Sequence, residues 1–391
     1  MDKLFLLDAY ALIYRAYYAF IRTPRINSKG LNTSAILGFC NTLNEIINKE
    51  HPTHIGVAFD HGKTFRHEAF PEYKAQREET PEDIKLSVPI IKELLTAFNI
   101  PIFQCDGFEA DDVIGTLATK AGAMGIETYM LTPDKDYGQL VTENVFIYRP
   151  RHGGGYDIIG AGQIEEKYGI KSPAQVIDLL ALMGDKADNF PGCPGVGEKT
   201  AVKLINDFGS VEELISRSAE VKGKLREKIE AAADDIRMSK FLATIRTDVP
   251  IELNLDSLRL VEPDKEKLSS LFAELEFKTL ADKFLNKGEK KQKTDNIQLS
   301  LFEEFPTDGK DESENSILAS LKNSPHDYKL VDTQGKLTEL YDFLRTKEIL
   351  SLDTETTSTS AVDAELVGLS FSVEENKAFY VPIPSNREDA L

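Results

Sequence analysis

Short apolar runs and amphipathic stretches alternate through the first half of the chain. Residues 3–7 (KLFLL) are mostly apolar and end at Asp8, residues 53–59 (THIGVAF) end at Asp60, and residues 126–131 (IETYML) run into Thr132-Pro133-Asp134-Lys135-Asp136. Between them, apolar positions recur at helical spacing over roughly 35–49, 83–98 and 108–122. Near-continuous apolar strands separated by such helices predict a parallel α/β sheet covered on both faces. Three strands each deliver an aspartate at the carboxyl end, which is where open α/β sheets bind their ligands.

From about residue 171 to 284 the strand signal stops and helical periodicity takes over, with a glycine turn at 192–197 (GCPGVG) leading into a helix over 198–207. Gly153-Gly154-Gly155 between FIYRP and YDII reads as a hairpin tip. Residues 286–318 are polar and charged without sustained periodicity, a linker with one apolar island. A second α/β pattern begins near 319, with strands at 328–331, 349–352, 366–373 and 378–383 and a helix near 337–344. The chain therefore divides into an α/β core (1–170), a helical part (171–285), a linker (286–318) and a shorter α/β segment (319–391).

Composition narrows the function. With 41% hydrophobic and 28% charged residues the chain can bury a proper core, and no apolar run approaches the ~20 residues of a membrane span. Three scattered cysteines offer neither a disulfide framework nor a thiolate metal knuckle, so a reducing cytoplasm is expected. A net charge of −19 argues against coating nucleic acid by a bulk positive field. The question becomes where the acids lie. Glu109, Asp111 and Asp112 fall in the first turn of a predicted helix, where the helix dipole tolerates negative charge. Asp8, Asp60, Asp134 and Asp136 follow strands, and Asp185 and Asp188 follow a helix. Converging at ~4–6 Å, such groups repel unless cations neutralise them. Oxygen ligands alone suit Mg²⁺ or Mn²⁺, and two such ions ~4 Å apart make a phosphodiester hydrolysis site.

The segments LFLLDAYALIYRAYYAF, VAFDHGKTFRHEAFPEYKAQR, DGFEADDVIGTLA, LTPDKDYGQL and ALMGDKADNFPGCPGVGEKTA complete the pattern. Over residues 1 to about 285 they resemble the 5′-nuclease domains of bacterial polymerase I-type enzymes, members of the flap endonuclease family. The resemblance implies a PIN-like parallel-sheet core, a helical arch at about 62–88 and a helix–hairpin–helix subdomain. It places Asp8, Asp60, Glu109 and Asp111 around one divalent ion, and Asp112, Asp134, Asp136, Asp185 and Asp188 around the rest of a two-ion site, with Asp111 bridging. Lys74 and Arg77 in YKAQR, with Arg15, match residues that engage phosphate. Lys63, Arg66 and Tyr73 would handle a single strand in the arch, where basic residues alternate with aromatics. Gly192, Gly195, Gly197, Lys199, Thr200 and Lys203 match the hairpin that grips duplex backbone, often with a monovalent cation.

Two further motifs stand outside that region. Gln298-Leu299-Ser300-Leu301-Phe302 resembles the peptide by which bacterial replication proteins dock on the sliding clamp, and flexible surroundings suit such a peptide. Asp353-Thr354-Glu355 resembles the first motif of 3′–5′ proofreading exonucleases, whose metal ligands Asp353 and Glu355 would supply. The later motifs are missing from this sequence, so neither proofreading nor polymerase activity is expected. The expectation is a monomeric, cytoplasmic, nucleoid-associated 5′-nuclease that cuts 5′-flap or 5′-ended DNA. An RNA nuclease on a related fold would explain the acids but not the hairpin, and a non-enzymatic junction binder would not need the full acid set.

Overall fold

The computed structural model describes residues 2–151, 154–285, 327–347, 349–356, 366–374 and 377–384. The chain separates into two units, 1–304 and 305–391.

In the first unit the strands are β1 (Lys3–Asp8), β2 (His54–Ala58), β3 (Ile102–Phe103), β4 (Glu127–Leu131), β5 (Val145–Pro150) and β6 (Tyr156–Ile159). They form one sheet in the order β3-β2-β1-β4-β5-β6. All pairings are parallel except that of β6, which returns antiparallel to β5 through the predicted hairpin. Its helices are α1 (Ala9–Ala19), α2 (Ser34–Glu45), α3 (Phe65–Ala69), α4 (Glu82–Ala97), α5 (Ala110–Ala123), α6 (Ala161–Tyr168), α7 (Val176–Met183), α8 (Glu198–Phe208), α9 (Val211–Ser216), α10 (Lys224–Ala231), α11 (Ala233–Ala243), α12 (Leu255–Leu258), α13 (Lys265–Leu275) and α14 (Lys278–Leu285).

The pleat of β1 explains the two-sided burial. Leu4 and Leu6 point into one core with residues of α5, α7, α8 and α11, while Phe5 and Leu7 point into the other with α1, α2, α4, α13 and α14. That is why the strand reads as an unbroken apolar run rather than an alternating one. The chain winds outward in one direction through β2 and β3 and in the other through β4 and β5. The reversal falls between β1 and β4, and this switch point puts Asp8 beside Thr132–Asp136 at the carboxyl edge.

Two predicted elements differ. The helix expected over 108–122 starts at Ala110, where Asp112 reaches back from the first turn to accept the Glu109 N–H (3.0 Å). The expected arch, 62–88, holds the five-residue α3, a run of turns and the start of α4. Its turns lie over the acids, with the Lys74 N–H donating to the Asp188 carbonyl (3.0 Å).

The second unit contains β7 (Asp327–Leu330), α15 (Gln334–Leu344), β8 (Ser351–Thr356), β9 (Leu366–Glu374) and β10 (Lys377–Pro382). The sheet order is β7-β10-β9-β8, around a small core of Val331, Leu340 and Val381. Asp353 and Glu355 are alternate residues of β8 and so share one face. The peptide at Gln298, Leu299, Leu301 and Phe302 lies outside the described residues, as does Gly153.

Candidate active site

Each acid is set by the end of an element. Asp8 closes β1 and caps α1, accepting the Ala11 N–H (3.1 Å) at Oδ1 and the hydroxyls of Thr132 (3.3 Å) and Tyr137 (3.2 Å) at Oδ2. Asp60, just past β2, accepts the Ala110 N–H (2.7 Å) and so touches the start of α5. Asp134 caps a 3₁₀ turn by accepting the Asp136 N–H (2.9 Å), and its own N–H donates to Thr132 Oγ1 (3.2 Å). Asp185 and Asp188 sit on a loop closed at its base by paired Asp185 and Phe190. Asp185 accepts the amides of Ala187 (2.6 Å) and Asp188 (3.2 Å).

The electrostatics show an unmet demand for cations. Burial, then Asp60 and Asp134, push the Asp8 carboxyl up to about 7. Burial and then Asp134 push Asp136 up to about 8. Asp111 is held well above the ordinary range by burial and then by Glu109. Asp60 and Asp134, although both keep exposed surface, are raised too, by the water that the crowded cleft takes from them, with Glu109 adding at the first and Asp188 at the second. Asp136 Oδ1 is buried with no hydrogen-bond partner, an orphan acceptor of the kind an ion or bound water satisfies. Donor chemistry and orphan oxygen both fit a hard divalent cation. Among the described residues, no three His, Cys, Asp or Glu side chains are gathered closely enough to hold a metal ion as they stand.

Basic residues roof the acids. Lys74 Nζ lies 2.9 Å from both oxygens of Glu109 and 3.9 Å from Asp188; Arg77 pairs with Asp188. Lys74 itself has left-handed backbone (φ 56°), a strained state for a side-chain-bearing residue. Asn189, also left-handed (φ 58°), donates from its side chain to the Glu72 carbonyl (2.7 Å). Lys63 is exposed beside this roof in the sequence, and Arg15, exposed on α1, donates to the Arg151 carbonyl (3.1 Å).

Four sequence-based assignments are corrected. Asp112 is fully buried and both its oxygens are used, by Arg66 (2.7 and 2.8 Å), the Glu109 N–H and the Arg246 N–H (2.8 Å), so no lone pair faces an ion. Arg66, 1% exposed, spends its donors on Asp112 and on the carbonyls of Leu242 (2.9 Å) and Thr244 (2.7 Å), leaving none for DNA. Tyr73 is buried and donates its hydroxyl to Glu109 (3.1 Å), so its ring cannot stack on a base. Gly192 is buried against the Gly184 backbone and its N–H donates to Ser239 Oγ (2.9 Å), away from any phosphate. Conversely, Tyr137 and Thr132 escaped notice as the hydroxyl donors to Asp8. Only their spacing beside Asp134 in the sequence could have flagged them.

The rest of the hairpin is open. Gly195 (φ 79°) and Gly197 are exposed, Gly197 caps α8, and Lys199 and Lys203 are exposed one turn apart on that helix, with Thr200 partly exposed. Bare amides at a helix start and two flanking ammonium groups suit a phosphate.

A cleft of carboxylates at the sheet's switch point, roofed by lysine and arginine, with an open glycine hairpin in the same unit, defines a nuclease. Residues 3–169 match the N-terminal resolvase-like domain of 5′–3′ exonucleases and residues 171–266 match their C-terminal SAM fold; the chain belongs to this 5′–3′ exonuclease family, of the DNA polymerase I type. DNA polymerase I of Bacillus caldotenax is 43% identical over 295 residues, covering 74% of this chain and 33% of that protein. DNA polymerase I of Chloroflexus aurantiacus is 35% identical over 407 residues, covering 98% of this chain and 42% of that one. The chain thus spans well under half the length of these curated relatives. Among solved structures, the bacteriophage T5 5′-exonuclease with bound zinc has the same fold (TM-score 0.55, 22% identity, 71% of this chain and 99% of that one). The T5 flap endonuclease has also been solved with DNA and metal ions (TM-score 0.53, 22% identity, 72% of this chain and 100% of that one). Among the described residues, no helix is long and apolar enough to cross a membrane.

Proposed function

We propose that this 5′–3′ exonuclease is structure-specific: it binds branched or 5′-ended duplex DNA and hydrolyses one phosphodiester near the junction, leaving a 5′-phosphate and a 3′-hydroxyl. The observation that carries the reading is the crowded, under-neutralised acid cluster at the switch point with its orphan Asp136 oxygen. Asp8, Asp60, Glu109 and Asp111 on one side, and Asp134, Asp136, Asp185 and Asp188 on the other, would hold two Mg²⁺ or Mn²⁺ ions. Bound there, the ions would supply an activated water and neutralise charge developing on the phosphate.

The protein's own groups do the rest. Lys74 and Arg77, now on Glu109 and Asp188, are long enough to exchange a carboxylate for the scissile phosphate, while Arg15 and Lys63 steady the strand beyond it. Gly195, Gly197, Lys199, Thr200 and Lys203 hold the duplex backbone without reading bases, with a monovalent cation at the hairpin as a further ligand. The 298–302 peptide would recruit the enzyme to a sliding clamp, and its deletion should abolish clamp co-elution while sparing cleavage of free DNA.

The test is a 5′-flap duplex labelled at both ends, incubated with Mg²⁺ or with EDTA, beside Asp134→Ala and Asp111→Ala. The expected result is a metal-dependent cut near the junction, lost in both variants, with DNA binding largely kept. Tight binding by the parent protein with no cut in Mg²⁺ or Mn²⁺ would overturn the reading.

A further inference from the structure

Arg66 and Asp112 are too well hidden to touch DNA or metal, yet their bonds reach both sides of the site. We propose that this pair is a positioning node that ties the duplex-gripping hairpin to the metal-binding carboxylates, so that Glu109 and Asp111 take their ligand geometry from the helical subdomain. The proposal rests on the nuclease reading above.

On the catalytic side, Asp112 is bonded to the Glu109 N–H (3.0 Å), and Arg66 Nη1 also reaches the Glu109 carboxylate (3.4 Å). The node therefore fixes both the backbone and the side chain of the residue that opens α5, one position from Ala110 and two from Asp111. On the other side, Arg66 holds the carbonyls of Leu242 and Thr244, and Asp112 holds the Arg246 N–H. These residues end and follow α11, the helix whose Ser239 accepts the Gly192 N–H of the hairpin.

A second strut reaches the same segment. Gln139 donates to the Ala243 carbonyl (3.0 Å) and accepts the Ile245 N–H (2.9 Å), and it also donates to the Asp136 carbonyl (3.0 Å). Residues 242–246 are thus gripped by one side chain bonded to Glu109 and another bonded to Asp136. A planar guanidinium with a fixed donor fork suits such a joint, because its bonds cannot shift independently. Partners that orient metal ligands in this way typically govern metal affinity and rate without touching either the ion or substrate.

The test uses the full chain with Arg66→Met and Asp112→Leu combined, since removing both charges leaves no unpaired buried ion and such replacements are often tolerated by the fold. Mn²⁺ binding is followed by electron paramagnetic resonance, and 5′-flap cleavage in single turnover at saturating enzyme. The expected result is a protein that still unfolds cooperatively, at a lower temperature than the parent because the Glu109 N–H and the Leu242 carbonyl lose their partners, with Mn²⁺ affinity lowered by about tenfold, a single-turnover rate lowered by about tenfold or more, and flap Kd changed by less than about threefold. Ser239→Ala, at the hairpin end, should weaken Mn²⁺ binding in the same direction. If the double variant does not fold, Arg66→Lys, which keeps the charge but loses the fork, should show the same changes at smaller size. Unchanged Mn²⁺ affinity and rate in a folded variant would overturn the node, as would a raised Kd with an unchanged rate, which is the mark of a direct DNA contact. Unchanged Mn²⁺ binding in Ser239→Ala would overturn the link to the hairpin. A parent protein that binds Mn²⁺ but cuts no DNA would instead refute the nuclease reading, and the Mn²⁺ titrations would still decide the node.

Discussion

Gly184 and Gly192 stand back to back at the neck of the loop that carries Asp185 and Asp188, both with left-handed backbone (φ 69° and 62°). A Cβ on Gly184 would lie 2.7 Å from the Phe190 carbonyl oxygen, and one on Gly192 would run into the Gly184 backbone. Clash and φ act together, so Gly192→Ala should lower stability by about 2–3 kcal/mol in urea unfolding. Gly197→Ala, with φ −100° and open space around it, should lose only the glycine's advantage as the cap of α8, no more than about 1 kcal/mol. Equal stabilities for the two variants would mean that the neck is not closed in this way. The sequence allowed both glycines to be read as phosphate-binding, because a glycine run shows that the backbone must turn and not which turn is buried. Arg66 is the sharper case: its decisive acceptor, the Leu242 carbonyl, is 176 residues along the chain. No local pattern separates an arginine destined for such a carbonyl from one destined for DNA.

Elements were easier to read where burial is two-sided. The runs of β1, β2 and β4 were legible because each faces a core on both sides, and the aspartates at their ends followed directly. What remained hidden was a relation between elements: that α5 begins under the buried Arg66–Asp112 ion pair. The acid cluster also makes a prediction at this scale. Without divalent cations Asp8 and Asp136 have folded-state values of about 7 and about 8, against about 4 for an aspartate in an unfolded chain. Between those values the folded state binds more protons than the unfolded one. Their contribution to stability is therefore complete below about pH 4 and is lost as pH rises through 7 to 8. In EDTA, Tm should fall by several degrees between pH 5 and pH 8.5, at about 1–2 °C per kcal/mol for a chain of this size. Mg²⁺ should restore most of the loss at pH 8 and little at pH 5, where the carboxylates are already protonated. A Tm in EDTA that holds level or climbs over this range would sink the claim that the cluster is under-neutralised.

Over the whole molecule, 65 acidic residues outweigh 46 basic ones for a net charge of −19, yet the substrate is a polyanion. The resolution lies in distribution: acids gather in the cleft, where cations can offset them, while Lys199 and Lys203 stand exposed on α8 beside the hairpin amides. If net charge governed binding, added salt would screen repulsion and strengthen it. If a local patch governs, affinity falls with salt in proportion to the phosphates neutralised, with a log–log slope of about −0.9 per contact on duplex DNA. Measured in Mg²⁺ on the Asp134→Ala protein, whose cleavage should be lost, duplex affinity should therefore weaken from low to moderate salt. Adding Lys199→Ala or Lys203→Ala should make the slope shallower by about one unit each and weaken binding equally for unrelated sequences. Lys267→Ala, on α13 against the opposite core, where the lysine is paired with Asp264 (3.1 Å), should leave the slope unchanged. A slope that Lys199 and Lys203 do not alter, or that Lys267 alters as much, would move the duplex footprint away from the hairpin and leave the acid cleft without the grip that brings a phosphate to it.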